Sequence, residues 1–568
     1  MQITLSAPRA IRAQVALPAS KSISNRALIL NALSGNDALP MNLSDCDDTR
    51  VMVEALFSNH DLIDIKAAGT AMRFLTAYRS ITPGSVTITG TQRMRQRPIR
   101  ILVDALRSLG ADIQYTEQEG FPPLRITGRE LTGNEITLKG DVSSQYISAL
   151  LMIAPTLPDG LTLRLQGEVV SRPYINLTLQ LMHDFGAEAG WTDSHTIKVS
   201  HGQYSPTPYS VESDWSAASY WYEIVALAPQ AEVRLKGLFA KSYQGDSAVA
   251  RLFERLGVRT TSTDDGVTLT KCSSDSGTSS ERNYSAEEGT LRADGTNSNN
   301  NIVRNGSFED GGVSNGQGET LGKALTSSNE NVNSSCVAGE ASVKSTSGSG
   351  IYSEWNSFTE EGEKLRTDGT TPNYIDSKRS DEDGRASVAR VCSSAKAGET
   401  SFVEPAPSNG GASASRFDYD FVNEPDLAQT FVVTCALMGV PFRFTGLQSL
   451  KIKETDRIAA LRRELLKLGY VVREADDSVL YWDGERCPAE AEPAIDTYED
   501  HRMAMAFAPA CLVLPQLRVN NPEVVSKSYP AYWNHLTEAG FSIREAENKP
   551  SAGSGLQSDL DGKNGRNE

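Results

Sequence analysis

The feature that most constrains this chain is a short pattern that returns along it: an amphipathic helix, a glycine, then a brief strand. It occurs at Leu106-Arg107-Ser108-Leu109-Gly110-Ala111-Asp112-Ile113, around Phe185-Gly186-Ala187 and around Leu256-Gly257-Val258. It returns at Leu468-Gly469-Tyr470-Val471 and at Ala539-Gly540-Phe541. Glycine is favoured just past a helix end because it enters the left-handed conformation without a Cβ penalty. A weaker first copy lies at 51–65, with no glycine after it. Successive glycines stand 76, 71, 212 and 71 residues apart. A period near 70 residues exceeds most solenoid repeats and suits a repeated α/β (α+β) unit.

The long gap has a compositional cause. From Ser273 to Arg416 the chain is rich in Ser, Gly, Asn, Thr and Glu and poor in large apolar residues. Taking those 144 residues out of the 212-residue gap leaves 68, which restores the period. Such a stretch buries too little apolar surface to offset its ordering entropy, so 273–416 is expected to be a disordered insertion; an interaction arm is the other reading. The tail, 548–568, is expected to be disordered as well. What remains carries five or six similar units, divided most naturally into two domains of three. The change of texture at Tyr209–Asp214, after Pro206 and Pro208, marks the expected crossing between them.

The formal net charge of -17 argues against a nucleic-acid partner, though not against a local basic cleft. Seven cysteines show no C-x-x-C pair and no metal-ligand spacing with the six histidines, and read as reduced thiols. Residues 1–9 alternate like a strand and lack the apolar core of a signal peptide. No run reaches the roughly 18 apolar residues of a membrane span. A cytoplasmic chain without a membrane partner is expected.

Polar clusters stand at several predicted helix starts, where free N–H groups favour anions. Ser20, Lys21, Ser22 and Arg26 open an apolar helix; Ser20 and Ser22 could equally be plain caps. Gly69 in Ala68-Gly69-Thr70-Ala71-Met72-Arg73 would allow close backbone approach to a ligand, or form only a tight turn. Arg93, Arg95, Arg97 and Arg100 surround Pro98, which suits the first position of a helix. Their guanidinium forks fit phosphate or carboxylate, the alternative being a solvated basic turn. Ser143-Ser144-Gln145 and Ser171-Arg172-Pro173-Tyr174 repeat the theme. Capping explains a serine in the first of these but not Gln145. Asp426 precedes another apolar helix, either as a capping carboxylate or as a base for a substrate hydroxyl. In Lys453-Glu454-Thr455-Asp456-Arg457, Thr455 or Asp456 can cap, leaving Lys453, Glu454 and Arg457 without a structural reason. Asp500-His501-Arg502-Met503 and Lys527 complete the set. Hydroxyls, guanidinium groups and lysines in both halves, with two candidate carboxylates, suggest an interdomain cleft for two small, multiply charged anions.

These motifs, in this order, resemble the 5-enolpyruvylshikimate-3-phosphate synthase family across the whole of the expected ordered chain. The matching residues are Ser20-Lys21-Ser22 with Asn25-Arg26, Ala68 to Arg73, Arg93-Met94 with Arg97-Pro98-Ile99, Ser143-Ser144-Gln145, Lys453 to Arg457, and Asp500 to Ala504. The resemblance implies two enolpyruvyl transferase domains, each of three β/α units about a pseudo-threefold axis. One would comprise 1–18, 213–272 and 417–547, the other 19–212. It also implies a monomer that needs no metal or cofactor and transfers the enolpyruvyl group of phosphoenolpyruvate to the 5-hydroxyl of shikimate 3-phosphate. Carried over residue by residue, Lys21, Ser22, Arg26, Ser143, Ser144, Gln145, Ser171, Tyr174, Asp426 and Lys453 would hold shikimate 3-phosphate. Lys21, Gly69, Arg97, Gln145, Arg457, Arg502 and Lys527 would hold phosphoenolpyruvate. Asp426 would be the base for the hydroxyl, with Glu454 and Lys527 in proton transfer at C3 and Lys21 beside them.

Two positions depart from the family pattern. Ala67 stands where an asparagine is usual, which bears on glyphosate sensitivity, and Ser449 stands where asparagine is frequent. The related UDP-N-acetylglucosamine enolpyruvyl transferases carry a loop cysteine, but this chain has none between Cys46 and Cys272. A catalytically silent anion-binding protein of the same fold is the alternative from another class. It predicts loss of the charged residues, all of which are present.

Overall fold

The computed structural model of the protein describes residues 1–57, 60–272 and 416–545. The insertion and tail inferred from composition lie outside the described residues, except for Arg416. The chain opens with β1 (Gln2–Ser6) and β2 (Ala10–Ala16), followed by α1 (Lys21–Leu33) and α2 (Asp47–Phe57). From there a strand–helix–strand–helix–strand–strand unit repeats. Its first copy is β3 (Leu62–Asp64), α3 (Gly69–Ile81), β4 (Gly84–Thr89), α4 (Gln92–Arg95) with α5 (Arg100–Ser108), β5 (Asp112–Tyr115) and β6 (Leu124–Gly128). The second is β7 (Glu135–Lys139), α6 (Ser144–Ile153), β8 (Leu161–Gln166), α7 (Arg172–Asp184), β9 (Ala189–Trp191) and β10 (Thr196–Val199).

The third copy takes β2 as its first strand and continues with α8 (Trp215–Leu227), β11 (Gln230–Lys236), α9 (Val249–Glu254), β12 (Val258–Thr263) and β13 (Gly266–Lys271). The fourth is β14 (Phe417–Asp420), α10 (Ala428–Met438), β15 (Phe442–Thr445), α11 (Arg457–Lys467), β16 (Arg473–Ala475) and β17 (Val479–Trp482). The fifth is β18 (Ala494–Ile495), α12 (His501–Phe507), β19 (Leu517–Asn520), α13 (Tyr532–Glu538) and β20 (Ser542–Glu545), with β1 filling its last place.

All five sheets among the described residues follow one order. The first two strands pair in parallel, as a helical crossover requires, and the other two add antiparallel, as in β3-β4-β6-β5 and β14-β15-β17-β16. The turn into the third strand is made by the periodic glycines. Gly110, Gly186, Gly257, Gly469 and Gly540 all have φ between +80° and +106°. The repeat seen in the sequence is therefore a repeat of this one turn. A sixth unit is reduced to α1, α2 and single bridge pairs, Ala19 with Ser213 and Met41 with Ser210.

Two hydrophobic cores form among the described residues. One draws on Ile3 to Leu17, Trp215 to Leu269 and Phe417 to Phe541; the other draws on Ala19 to Val211. The backbone passes between them twice, side by side: Ser20 N–H donates to the Glu212 carbonyl at 2.8 Å and Asp214 N–H to the Pro18 carbonyl at 2.9 Å.

This topology decides where chemistry can sit. In each unit both parallel strands end toward a helix N-terminus, and ligands of α/β folds bind at such strand ends. Lys21 follows β2, Gly69 follows β3, Arg97 follows β4, Ser143 follows β7 and Ser171 follows β8. Asp426, Lys453, Arg502 and Lys527 follow β14, β15, β18 and β19 in the same way. Cys272, just before the insertion, and Arg416, its last residue, lie at the opposite ends of their sheets, beyond β13 and before β14.

Two local expectations are corrected. Ser20 holds the N-cap position of α1 but makes no side-chain cap; its backbone is engaged in the crossing, and its buried hydroxyl finds no partner among the described residues. Pro98 does not begin a helix: α5 starts at Arg100, because Ile99 has a non-helical backbone (φ -132°) and holds the N-cap position, its N–H bonded to the Gly120 carbonyl.

Candidate active site

The strand ends of both cores enclose a cavity of about 100 Å³. Its walls carry Lys21, Ser22, Arg26, Gly69, Arg97, Ser143, Ser144, Gln145, Ser171, Tyr174, Asp426, Lys453, Glu454, Arg457 and Arg502. Those are all the sequence-predicted site residues except Lys527, which stands behind Glu454, its Nζ 3.6 Å from the carboxylate. Six cationic side chains face four carboxylates here, so an acidic chain presents a locally positive cleft.

On the wall of the second core, α1 points its N-terminus inward. Lys21 pairs with Asp48 at 3.6 Å; burial opposes its charge, but Asp48 and its neighbours raise its pKa on balance. Arg26 is buried and held by neutral oxygens: the Thr178 and Ser148 hydroxyls at 2.7 and 3.0 Å and the Ser22 carbonyl at 2.9 Å. Burial pushes its pKa down to about 10, which leaves it charged at neutral pH. At the start of α3, Arg73 donates to the Gly69 carbonyl at 2.6 Å. A Cβ at Gly69 would lie 2.7 Å from Nη1 of both Arg73 and Arg97. The two guanidinium groups therefore flank one glycine, and no carboxylate lies within 4 Å of either among the described residues. Such a pair of forks is suited to an anion. Gln145 donates to the Thr70 hydroxyl at 3.3 Å across the α3–α6 contact. Ser143 caps α6. Ser171, in a left-handed conformation with φ 54°, does not cap α7; its N–H reaches the Val422 carbonyl of the other core at 2.9 Å.

The facing wall is built from charge pairs. Asp426 lies 3.0 Å from Arg502, 3.3 Å from Arg457 and 3.7 Å from Lys453, and accepts the Tyr174 hydroxyl at 3.0 Å. It is not a cap, because α10 begins two residues later and Leu427 holds its N-cap position. Burial works to protonate Asp426, but Arg502, Lys453 and Arg457 outweigh it and hold its pKa well below the usual carboxylate range. Glu454 is likewise kept ionised against burial by Arg457 and Lys527. Arg457, 1% exposed, ties the wall together through Asp500 at 2.7 Å, Glu454 at 2.8 Å and Asp426. Of the two cap candidates for α11, Asp456 is the one that caps it, so neither Glu454 nor Arg457 is needed for that.

Sequence reasoning did not single out Asp48, Asp246, Ser216, Tyr220 or the roles of Asp500 and His501. His501 is buried, its Nδ1 3.9 Å from Asp500 and neither ring nitrogen hydrogen-bonded among the described residues; burial, Lys21 and Arg502 hold its pKa well below the ordinary value, so it is neutral. Asp246 is the sharper omission. It accepts a hydrogen bond from Ser216 and sits 3.4 Å from the Tyr174 hydroxyl, which it shares with Asp426. Burial first, then the Asp426 charge, raise its pKa to about 7. The two carboxyls are thus pushed apart, one a firm anion and one a proton holder, a division often seen in acid–base sites.

This pair makes a stability prediction. Between about pH 4 and pH 7, folded Asp246 keeps a proton that the unfolded chain has released, so its contribution to stability falls as pH rises through that window. Asp246→Asn has no such term. Its unfolding free energy relative to wild type is expected to rise from pH 4.5 to pH 8 by at least about 1 kcal/mol. Parallel pH profiles in denaturant melts would contradict the assignment.

A family model described as EPSP synthase (3-phosphoshikimate 1-carboxyvinyltransferase) matches residues 5–58, 57–279 and 395–536. The chain belongs to the EPSP synthase family. A Bacteroides fragilis protein named 3-phosphoshikimate 1-carboxyvinyltransferase is 49% identical over 547 residues, covering 96% of this chain and all of that one. A Cellvibrio japonicus protein of the same name is 30% identical, over 93% of this chain and 96% of its own. Among solved structures, the EPSP synthase of Acinetobacter baumannii superposes with TM-score 0.59 at 15% identity, covering 96% of this chain and 100% of that one. The enolpyruvyl transferase NikO of Streptomyces tendae does so with TM-score 0.54 at 12% identity, over 96% and 98%. Those two similarities establish the enolpyruvyl transferase fold for this EPSP synthase family member. No helix among its described residues is long and apolar enough to cross a membrane.

Proposed function

We propose that the chain transfers the enolpyruvyl group of phosphoenolpyruvate to the 5-hydroxyl of shikimate 3-phosphate and releases phosphate. The observation that carries this reading is Asp426, kept ionised beside Arg502, Lys453 and Arg457. It faces a wall where Arg97 has no carboxylate within 4 Å among the described residues.

In this reading Lys21, Ser22, Arg26, Ser143, Ser144, Gln145, Ser171, Tyr174, Asp426 and Lys453 take shikimate 3-phosphate. Lys21, Gly69, Arg97, Gln145, Arg457, Arg502 and Lys527 take phosphoenolpyruvate. The hydroxyl oxygen adds to C2 while a proton is delivered to C3, and the proton of the hydroxyl passes to Asp426. The tetrahedral adduct then expels phosphate with the C–O bonding pair and loses a methyl proton, which restores the C2–C3 double bond. Glu454 and Lys527, 3.6 Å apart, are the pair placed for proton transfer at C3.

A carboxylate held this far down is a weak base. Its basicity rises when Arg502 and Arg457 turn part of their charge toward the carboxylate and phosphate of phosphoenolpyruvate, so the base is strengthened only in the loaded complex. The substrates enter a site where oriented cations already stand, which favours the charge that develops on the adduct. The proposal includes closure of two domains, 1–18 with 213–272 and 417–547 around 19–212. It also includes action as a cytoplasmic monomer without metal or organic cofactor, since addition and elimination need only proton transfer.

The test is phosphate release from purified full-length protein. Release that requires both substrates supports the proposal; release from neither combination, with shikimate 3-phosphate still bound, refutes it. A finer prediction concerns Gly69→Ala. The added methyl displaces both guanidinium groups, so KM for phosphoenolpyruvate is expected to rise roughly tenfold, about 1.4 kcal/mol, with the affinity for shikimate 3-phosphate unchanged. An unaltered KM would show that Gly69 and Arg97 do not hold that substrate.

A further inference from the structure

The cavity just described holds about 100 Å³, but a second one of about 960 Å³ adjoins it. The second is framed by α2, α4, residues 65–68 and the segment 524–527 that leads from β19. The two share three wall residues, Asp48, Arg97 and Glu454. These three form a neck, and their charges are not equivalent. Asp48 is neutralised by Lys21 at 3.6 Å, and Glu454 by Arg457 at 2.8 Å and Lys527 at 3.6 Å. Of the three, Arg97 alone has no oppositely charged partner within 4 Å among the described residues, although the charges of Glu454 and Asp48 reach it from farther off. The rest of the lining mixes both signs: Asp47, Glu54 and Glu499 stand with Arg50, Lys66 and Arg93, Lys66 is paired with Asp64 at 2.7 Å, and Arg93 reaches across to the Glu454 carbonyl at 3.5 Å. Between them the floor is small: Ala67 and Ala68.

The inner site is closed tightly by bonds between the two cores: Ser171 to Val422, Tyr174 to Asp426, and Ser526 to Asp47 at 2.7 Å. Breaking all of them for every small anion that arrives or leaves is unnecessary if the neck is open. We propose that the second cavity is the passage by which a small dianion, phosphoenolpyruvate inward and inorganic phosphate outward, exchanges with the inner site while the larger sugar-like phosphate stays enclosed. This rests on the enolpyruvyl-transfer reading above. Arg97 acts at both ends of it, as the last charge met on the way in and the first met by a departing phosphate.

A passage alters how fast a ligand comes and goes but not how tightly it is held, because an obstruction slows both directions equally. Val51→Trp on α2 and Gln92→Trp on α4 place an indole on the lining from two different sides, at positions assigned to neither substrate. The probe is inorganic phosphate added to full-length enzyme saturated with shikimate 3-phosphate, which cannot react. The ³¹P line shape reports its exchange rate, and titration its Kd. Each variant is expected to slow exchange at least tenfold while Kd for phosphate and for shikimate 3-phosphate stays within twofold. Exchange at the wild-type rate in both variants would overturn the passage. A rise in Kd that accounts for the whole rate change would also overturn it, because the residues would then act on the site itself. Turnover of both substrates by wild type is measured alongside. An enzyme that turns over but exchanges phosphate normally in both variants refutes the passage alone, and an enzyme that does not turn over refutes the reading beneath it.

Discussion

Asp426→Asn is expected to lower kcat for phosphate release by roughly 10³-fold, the scale of a lost general base, without raising KM for phosphoenolpyruvate. The direction of the second effect follows from the pairing. Asp426 competes with any anionic substrate for Arg502, Arg457 and Lys453. Removing its charge frees those cations, so binding of the small anion is preserved or tightened while the chemical step fails. The amide keeps the side-chain volume and still accepts the Tyr174 hydroxyl, which makes collapse of the pocket a poor explanation for the loss. Steady-state kinetics that vary each substrate separately would check it. A kcat within tenfold of wild type, or a loss expressed mainly in KM, would remove Asp426 from the role of base.

Arg457→Met is expected to destabilise the protein by about 3–5 kcal/mol, the cost of breaking a buried ion network from one side, and to abolish turnover. The side chain is 1% exposed and Asp500 beside it is fully buried. Without the guanidinium, Asp500 keeps only its cap to the Arg502 N–H, and Asp426 and Glu454 lose a shared partner. Methionine fills similar space, so the loss measures charge rather than a cavity. Denaturant unfolding would show the difference in midpoint. A change below about 1 kcal/mol would mean that the carboxylates are satisfied by water or by Lys453 and Lys527, and that the network is looser than its distances indicate.

Much of this was legible in the sequence because it is local. A glycine after a helix reports a left-handed turn from three or four neighbouring residues, and all five periodic glycines adopt it. Clusters at helix starts were legible for the same reason, since the parallel strands of each unit bring those starts to one cleft. The residues that escaped are those whose meaning depends on the other core. Asp246 lies in Gln244-Gly245-Asp246, which alone reads as a turn. Only contact with α7 places it beside Tyr174. Its one local signal is Gly245, where an added Cβ would lie 2.5 Å from the Pro173 Cβ, so the chain could not approach α7 with any larger residue. The capping alternatives also had to wait for the backbone. Asp456 and Asp500 cap, Asp426 does not, and the difference is a shift of one or two residues in where a helix begins.

The side-by-side crossings at Ser20–Glu212 and Pro18–Asp214 have a consequence for how such a chain is assembled. The segment between them leaves and rejoins the rest at almost one point, inside the link between β2 and α8 of a single repeat. It behaves as a cassette plugged into a socket: its two ends already meet, so it could be excised, sealed and produced as a separate polypeptide. The socket would need only a short splice from Leu17 to Asp214 to continue its own repeat. Two gene fragments supplying the halves could therefore reconstitute one catalytic cleft, with the pair of crossings replaced by whatever affinity the two walls have for each other.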